Sequence, residues 1–302
     1  MDIRVYGEFS DRQFDRLKHG AGDLMLSRAA PDEDCDCAIV FGNPDPGTVA
    51  RNERLRWLQL ESVGFSEYAG LDWARGHGRI VVTNLAGFFA QPVAESALAG
   101  ILALYRGIDR LARLQAERRW VGDRLRPALR LLGGAHVVLL GYGAINCRLE
   151  HLLSPFGCAV TPIARSHDAA ALDAALAVAD IVVCTVPATS ATAGLFDAGR
   201  IARLPPHAVF CNFGRGSLVE EDALALALED GRLAGAVLDV TQNEPLPVGH
   251  RFWTCPNLIL TQHTGGGTQD EIDRKIDVFL DNLARFRAGR PLASIVDFSR
   301  GY

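Results

Sequence analysis

The stretch His136-Val137-Val138-Leu139-Leu140-Gly141-Tyr142-Gly143-Ala144-Ile145-Asn146 decides the fold. Its first five residues form an apolar run of strand length, Gly141 and Gly143 punctuate a turn, and Leu149, Leu152 and Leu153 follow at helical spacing. A strand, a glycine turn and a helix in that order make an anion site. The first glycine permits the tight turn, the second lets backbone approach a pyrophosphate, and the free N–H groups of the helix start face that group. The expected cofactor contacts here are Gly141, Gly143, Ala144 and Ile145. The last position of the pattern, ordinarily Gly or Ala so that helix and strand can pack closely, is Asn146. A glycine pair between strand and helix also arises for steric reasons alone, so the context must decide.

The flanking sequence repeats the same alternation. Strand-like runs at 160–164, 181–186, 208–212, 236–240 and 258–261 are separated by helical segments, which together with the run at 137–140 predicts a doubly wound sheet of six strands. Ahead of it, runs at 3–6, 37–41, 55–60 and 80–83 predict a second parallel α/β unit. Between the two, Val93, Ala97, Ile101, Leu104, Ile108, Leu111 and Leu114 predict one long helix over 89–120 that bridges two domains. A last helix is expected over 270–288, with Ile272, Ile276, Phe279, Leu280 and Leu283 on one face returning to the first domain.

Composition narrows the function classes. At 302 residues and 48% hydrophobic, the chain has ample material for buried cores. Its 31 basic and 36 acidic residues give a net charge of −5 with no block of like charge, which argues against a nucleic-acid surface. No apolar run reaches the ~18 residues of a membrane span, and the start reads as a strand, so a cytoplasmic protein is expected. Seven cysteines, mostly inside apolar runs, read as small core residues. Cys35-Asp36-Cys37 has the wrong spacing for a zinc knuckle, so no metal is expected.

The end of the second strand reads the adenosine ribose: a carboxylate there binds the 2′-hydroxyl of NAD, an arginine accommodates the 2′-phosphate of NADP. That strand ends in Ala164-Arg165-Ser166-His167, with Arg165 24 residues beyond Gly141 and no acid nearby. Arg165 and Ser166 are the expected contacts, and NADP(H) is favoured over NAD(H). Arg165 taken alone fits a solvated strand-end arginine as well. His167 could also help to hold the phosphate.

Three further segments place polar residues just after strands, where open α/β sheets bind ligands. They hold Gly214-Arg215-Gly216, the run from Leu238-Asp239-Val240 to Glu244-Pro245, and Thr261-Gln262-His263-Thr264-Gly265. With Val82-Thr83-Asn84, Val93-Ala94-Glu95, the glycine turn, Ala179-Asp180-Ile181-Val182-Val183 and Val186-Pro187, in that order, the chain resembles the D-isomer-specific 2-hydroxyacid dehydrogenase family over most of its length. The resemblance implies a flavodoxin-like substrate domain over 1–92 and 278–302, and a Rossmann nucleotide-binding domain over 93–277.

It also implies reduction of a small 2-keto acid to a D-2-hydroxy acid by hydride from NAD(P)H, as in glyoxylate and hydroxypyruvate reductases. Arg215, Glu244 and His263 become the catalytic trio. Arg215 would bind the substrate carboxylate and polarise its carbonyl, which a planar guanidinium can do bidentately. His263 would exchange the proton, and Glu244 would orient His263 and favour its protonated form. Val186 and Pro187 line the cofactor, Asp239 contacts the nicotinamide carboxamide, and Ser62-Val63-Gly64 cradles the substrate through Val63 and Gly64. Taken singly, each of the trio also fits an ordinary loop residue; jointly, the preserved order favours the site.

One departure lies in the last loop, where Gln262 replaces the proline that usually precedes the histidine. The aromatics Phe65, Tyr68, Phe88, Phe89, Trp120 and Trp253 are expected to be mostly core; either Phe88 or Phe89 in the substrate cleft would favour a hydrophobic keto acid. The long helix resembles the family's dimer-forming segment and implies a homodimer. A catalytically silent NAD(P)H-sensing regulator on the same fold is the alternative, expected to carry damage at Arg215, Glu244 or His263; none is present.

Overall fold

The computed structural model describes residues 1–30, 33–34, 36–73 and 80–298; Cys35 and His77 lie outside the described residues. The chain first runs through β1 (Asp2–Tyr6), α1 (Asp11–Ala21), β2 (Met25–Ala29), β3 (Ile39–Phe41), α2 (Pro46–Arg51), β4 (Trp57–Gln59) and β5 (Val81–Thr83). It continues through α3 (Ala90–Arg106), α4 (Ile108–Ala116), β6 (His136–Leu140), α5 (Ala144–Leu153), β7 (Ala159–Ile163), α6 (Ala169–Leu176) and β8 (Ile181–Cys184). Then come α7 (Ala198–Ile201), β9 (Val209–Asn212), α8 (Glu221–Glu229), β10 (Gly235–Leu238), β11 (Leu258–Leu260) and α9 (Glu271–Arg287). They form two compact units, Met1–Phe88 with Thr268–Tyr302, and Phe89–Gly267.

In the first unit five parallel strands stand in the order β2-β1-β3-β4-β5, the flavodoxin-like arrangement. Helix α9 belongs to this unit because its apolar stripe is buried there. Phe279 stacks on Phe41 at 4.5 Å and on Trp57 at 5.3 Å between ring centroids, and Ile276 and Leu283 flank it in the same core. Glu271 and Asp273 in its first turn and Arg285 and Arg287 in its last complement the helix dipole. One buried polar chain runs beside these rings. Trp57 Nε1 donates to Thr83 Oγ1, Thr83 Oγ1 to Gln59 Oε1, and Asn282 Nδ2 to the same Gln59 oxygen. The return crossing therefore falls at Gly267 and not at 277, because the whole stripe of α9 is committed to one core.

Strand β2 has no apolar run to announce it. It lies at the sheet edge with Met25 76% exposed, so its pairing with β1 is held by backbone.

The second unit is a six-stranded, all-parallel sheet in the order β11-β10-β9-β8-β6-β7. Val137, Val138, Leu139, Val182 and Val183 are inaccessible, as expected for strands covered on both faces. Helix α3 packs closely because Gly100 faces β10: a Cβ there would stand 2.6 Å from Val237 Cγ1. The predicted single helix over 89–120 is instead two helices. Gly107 adopts φ +63 and caps α3 in the left-handed conformation, and α4 restarts behind it. Among the described cysteines Cys37, Cys184, Cys211 and Cys255 are buried, and burial pushes the Cys184 thiol up to about 12; Cys147 is exposed.

Phe279→Ala is expected to cost about 3–5 kcal/mol, the range for a truncated core aromatic, read from the denaturant midpoint. A loss under about 1 kcal/mol would mean that the stacked rings do not hold α9 in place.

Candidate active site

The reversal of strand order in the second unit lies between β6, which leads on to β7, and β8 on its other side. The glycine turn follows β6 at that point. Gly141 has φ +85, and a Cβ on it would come within 2.9 Å of Val186 N, so no other residue fits without movement. Among the described residues, Gly143, the N-cap of α5, has no heavy atom within 4 Å of where its Cβ would be, and no side chain caps the helix. The first N–H groups of α5, those of Ala144 and Ile145, have no intrahelical acceptor. An open cradle beneath uncapped N–H groups fits a pyrophosphate. Thr185 Oγ1 donates to Gly141 O at 2.9 Å, and Thr192 Oγ1 to Pro187 O at 2.7 Å, fixing the facing loop that holds Val186 and Pro187.

Arg165 and Ser166 are exposed just beyond β7. Arg165 has no ion pair or hydrogen bond among the described residues, so its guanidinium is available to a ligand phosphate. His167 closes the turn: its Nδ1 accepts from Ala164 N at 3.1 Å.

The three residues expected to form the catalytic trio stand on the loops after β9, β10 and β11, and these loops are joined. A Cβ on Gly216 would overlap Thr241, and the His263 N–H donates to Asp239 O at 2.6 Å. Asp239 itself is buried, its Oδ1 accepting from Thr261 Oγ1 at 2.6 Å and from Gly265 N at 3.0 Å. His263 Nδ1 lies 2.6 Å from Glu244 Oε2, and Glu244 Oε1 accepts from Thr241 N at 2.9 Å. Burial raises the Glu244 pKa, but the hydrogen bonds from His263 and Thr241 and the charges of His263 and Arg215 outweigh it, so the carboxyl sits below its ordinary value. An ionised carboxylate only accepts, so Nδ1 carries the hydrogen that faces Glu244. A depressed carboxyl pKa stabilises the fold above the ordinary value of ~4.3 and loses that contribution as pH falls through the folded value. The pair is therefore intact around neutrality.

Arg215 is exposed between the buried Gly214 and Gly216. Its Nη1 donates to Gly214 O at 2.7 Å, and its own carbonyl is held by Asn212 Nδ2 at 2.9 Å, leaving the rest of the guanidinium unpaired among the described residues. Gln262 and His263 both have positive φ, +54 and +57. Proline is locked near φ −65°, so it cannot occupy position 262 in this loop.

The family model "D-isomer specific 2-hydroxyacid dehydrogenase, NAD binding domain" matches residues 98–265. The chain belongs to this family. Its dehydrogenase relatives include a glyoxylate/hydroxypyruvate reductase A of Serratia proteamaculans (strain 568), 31% identical over 70% of this chain and 69% of that one. A glyoxylate reductase of Thermofilum pendens (strain DSM 2475 / Hrk 5) is 29% identical over 90% of this chain and 84% of that one. Among solved structures, the D-isomer specific 2-hydroxyacid dehydrogenase of Xanthobacter autotrophicus Py2, in complex with NADPH and MES, matches with TM-score 0.82 at 29% identity. That match covers 99% of this chain and 100% of that one. The chain is thus a 2-hydroxyacid dehydrogenase with a nicotinamide-cofactor domain.

Val63 and Gly64 lie in the first unit. Both are exposed, on a turn in which Asn84 Nδ2 donates to Val63 O, Leu85 N to Ser62 O, and Ser62 Oγ to Gly64 O. Phe65 and Tyr68 are core, but Phe88 and Phe89 are half-buried and Trp253 and Trp120 are 46% and 94% exposed, so the expectation of a mostly core aromatic set fails. Sequence reasoning missed Thr185 and Thr192, whose hydroxyls fix the glycine turn and the loop facing it. A threonine directly after a buried strand was the available signal for Thr185.

Proposed function

We propose that this dehydrogenase reduces small 2-keto acids to D-2-hydroxy acids with a preference for NADPH. The observation that carries the reading is the 2.6 Å contact between His263 Nδ1 and Glu244, on loops that adjoin the one holding Arg215. When bound, the nicotinamide supplies the hydride. Arg215 binds the substrate carboxylate through its unpaired N–H groups and polarises the carbonyl; Val63 and Gly64 are the proposed substrate contacts of the first unit. His263 Nε2 gives its proton to the carbonyl oxygen as the carbon is reduced, and takes one back in the oxidative direction. Glu244 holds the ring and balances the imidazolium charge. Asp239, bonded to Thr261 and Gly265, is proposed to fix the carboxamide end of the cofactor.

The names of the reductase relatives support glyoxylate and hydroxypyruvate as substrates. The unpaired, exposed Arg165 supports NADPH. A homodimer is part of the same proposal, supported by Ile108, Leu111 and Trp120, 55%, 41% and 94% exposed along α4 and the segment behind it. A cytoplasmic setting belongs to it as well, with four described cysteines buried as small apolar side chains.

The purified protein is expected to oxidise NADPH with glyoxylate or hydroxypyruvate, and His263→Ala to lower kcat by about 10²–10⁴ with cofactor affinity unchanged. A fully active His263→Ala, or a wild type that binds cofactor and reduces neither acid, overturns the assignment. Arg165→Ala is expected to weaken NADPH by about 10–100-fold, the worth of a charge-assisted hydrogen bond, and to leave NADH alone. Equal loss of both would exclude Arg165 as the phosphate reader. Light scattering at twice the 32.6 kDa chain mass is the expected dimer signature, and the chain mass itself would refute it.

A further inference from the structure

Asn146 stands where the glycine-turn pattern ends in a small residue, and its side chain does not point away from the site. It is 0% exposed and folds back from the start of α5 beneath the turn. Its Nδ2 lies 3.0 Å from Gly141 O, 3.1 Å from Leu140 O and 3.3 Å from Val183 O. All three neighbours are backbone carbonyls, which only accept, so the amide nitrogen has to be the group facing them. Leu140 ends β6 and Val183 lies in β8, the two strands between which the order of the sheet reverses. One side chain thus ties the turn to both strands at the place where an open α/β sheet takes its ligand.

The arrangement carries a local cost. Asn146 Oδ1 is buried and has no hydrogen-bond partner among the described residues. A buried acceptor without a donor works against the folded state, and natural proteins keep such groups mainly where function requires them. Here the three-carbonyl contact of the nitrogen dictates where the oxygen must go. An alanine at 146 would remove the orphaned oxygen together with the three contacts, so its effect on stability is a difference of opposing terms, whereas its effect on the turn is one-sided.

We propose that Asn146 is a positioning residue for the dinucleotide. Its amide fixes the Leu140 and Gly141 carbonyls against Val183, so that the N–H groups of Ala144 and Ile145 are held as a preorganised set for the pyrophosphate. The cost of ordering the turn is met on folding and not on binding, which is how preorganisation raises affinity. Asn146 touches none of the reacting atoms, so its removal acts on affinity and leaves the chemical step alone. The inference rests on the dinucleotide reading of the turn.

The test titrates wild type, Asn146→Ala and Asn146→Ser with NADPH, followed by cofactor fluorescence. ADP-ribose, which has the pyrophosphate, and adenosine 2′-phosphate, which lacks it, serve as competitors, and Tm is measured on the same samples. Asn146→Ala is expected to weaken NADPH and ADP-ribose by at least about tenfold, with adenosine 2′-phosphate and kcat at saturating NADPH within about threefold of wild type. Asn146→Ser keeps one donor and is expected to recover part of the loss; it also carries the test if the alanine variant does not fold. A purely structural role would lower Tm and leave the affinities alone. Wild-type affinity for NADPH in both variants, or equal weakening of the two competitors, overturns the proposal for Asn146 only. A wild type that binds neither NADPH nor NADH overturns the dinucleotide reading, and the proposal with it.

Discussion

The buried carboxyl of Asp239 is the contact on which the loops at the carboxyl end of the second unit's sheet depend. It closes β10 and accepts from Thr261 Oγ1 and Gly265 N on the next loop, while its backbone carbonyl takes the N–H of His263. Three hydrogen bonds from one residue thus shape the histidine loop, including the left-handed turn at Gln262 and His263. That turn in turn delivers Nδ1 to Glu244. A buried carboxyl is costly unless its acceptors are occupied, and here both the loop backbone and a hydroxyl occupy one oxygen. Loss of the network would release the loop before it affected the sheet, because the strand runs beneath are held by apolar burial on both faces.

Much of this was legible because a parallel sheet covered on both faces announces itself. The runs at 137–140, 181–186 and 236–240 are apolar on both sides, and β6, β8 and β10 lie within or beside them. Strand β2 was not legible, since an exposed edge strand needs only backbone pairing and leaves no apolar signature. The break at Gly107 was visible as a residue but not as a break: the apolar spacing continues through it, and periodicity outweighed a single glycine. The crossing at Gly267 was misplaced by ten residues because the apolar stripe of α9 says that it is buried, not where its companions begin.

At the site, order and spacing carried more than any single residue type. Glu244 and His263 are 19 positions apart and meet only because consecutive parallel strands deliver their loops to the same edge. The Asn146 side chain could not be anticipated from its position, because its direction depends on the carbonyls of Leu140 and Val183, contributed by two strands 43 residues apart in sequence. Arg165 lies at the other extreme. Its exposed position at a strand end follows directly from the sequence, and what it reads there is a matter of ligand chemistry.

The left-handed backbone at Gln262 has a consequence for anyone who would rebuild this enzyme from the averaged sequence of its relatives. Placing at 262 the proline that the resemblance leads one to expect would demand a φ about 120° away from the one the loop adopts. The neighbouring histidine would be carried off with the ring correct and its aim lost. Averaging over relatives treats each position as independent, and at this corner residue choice and chain direction were settled together.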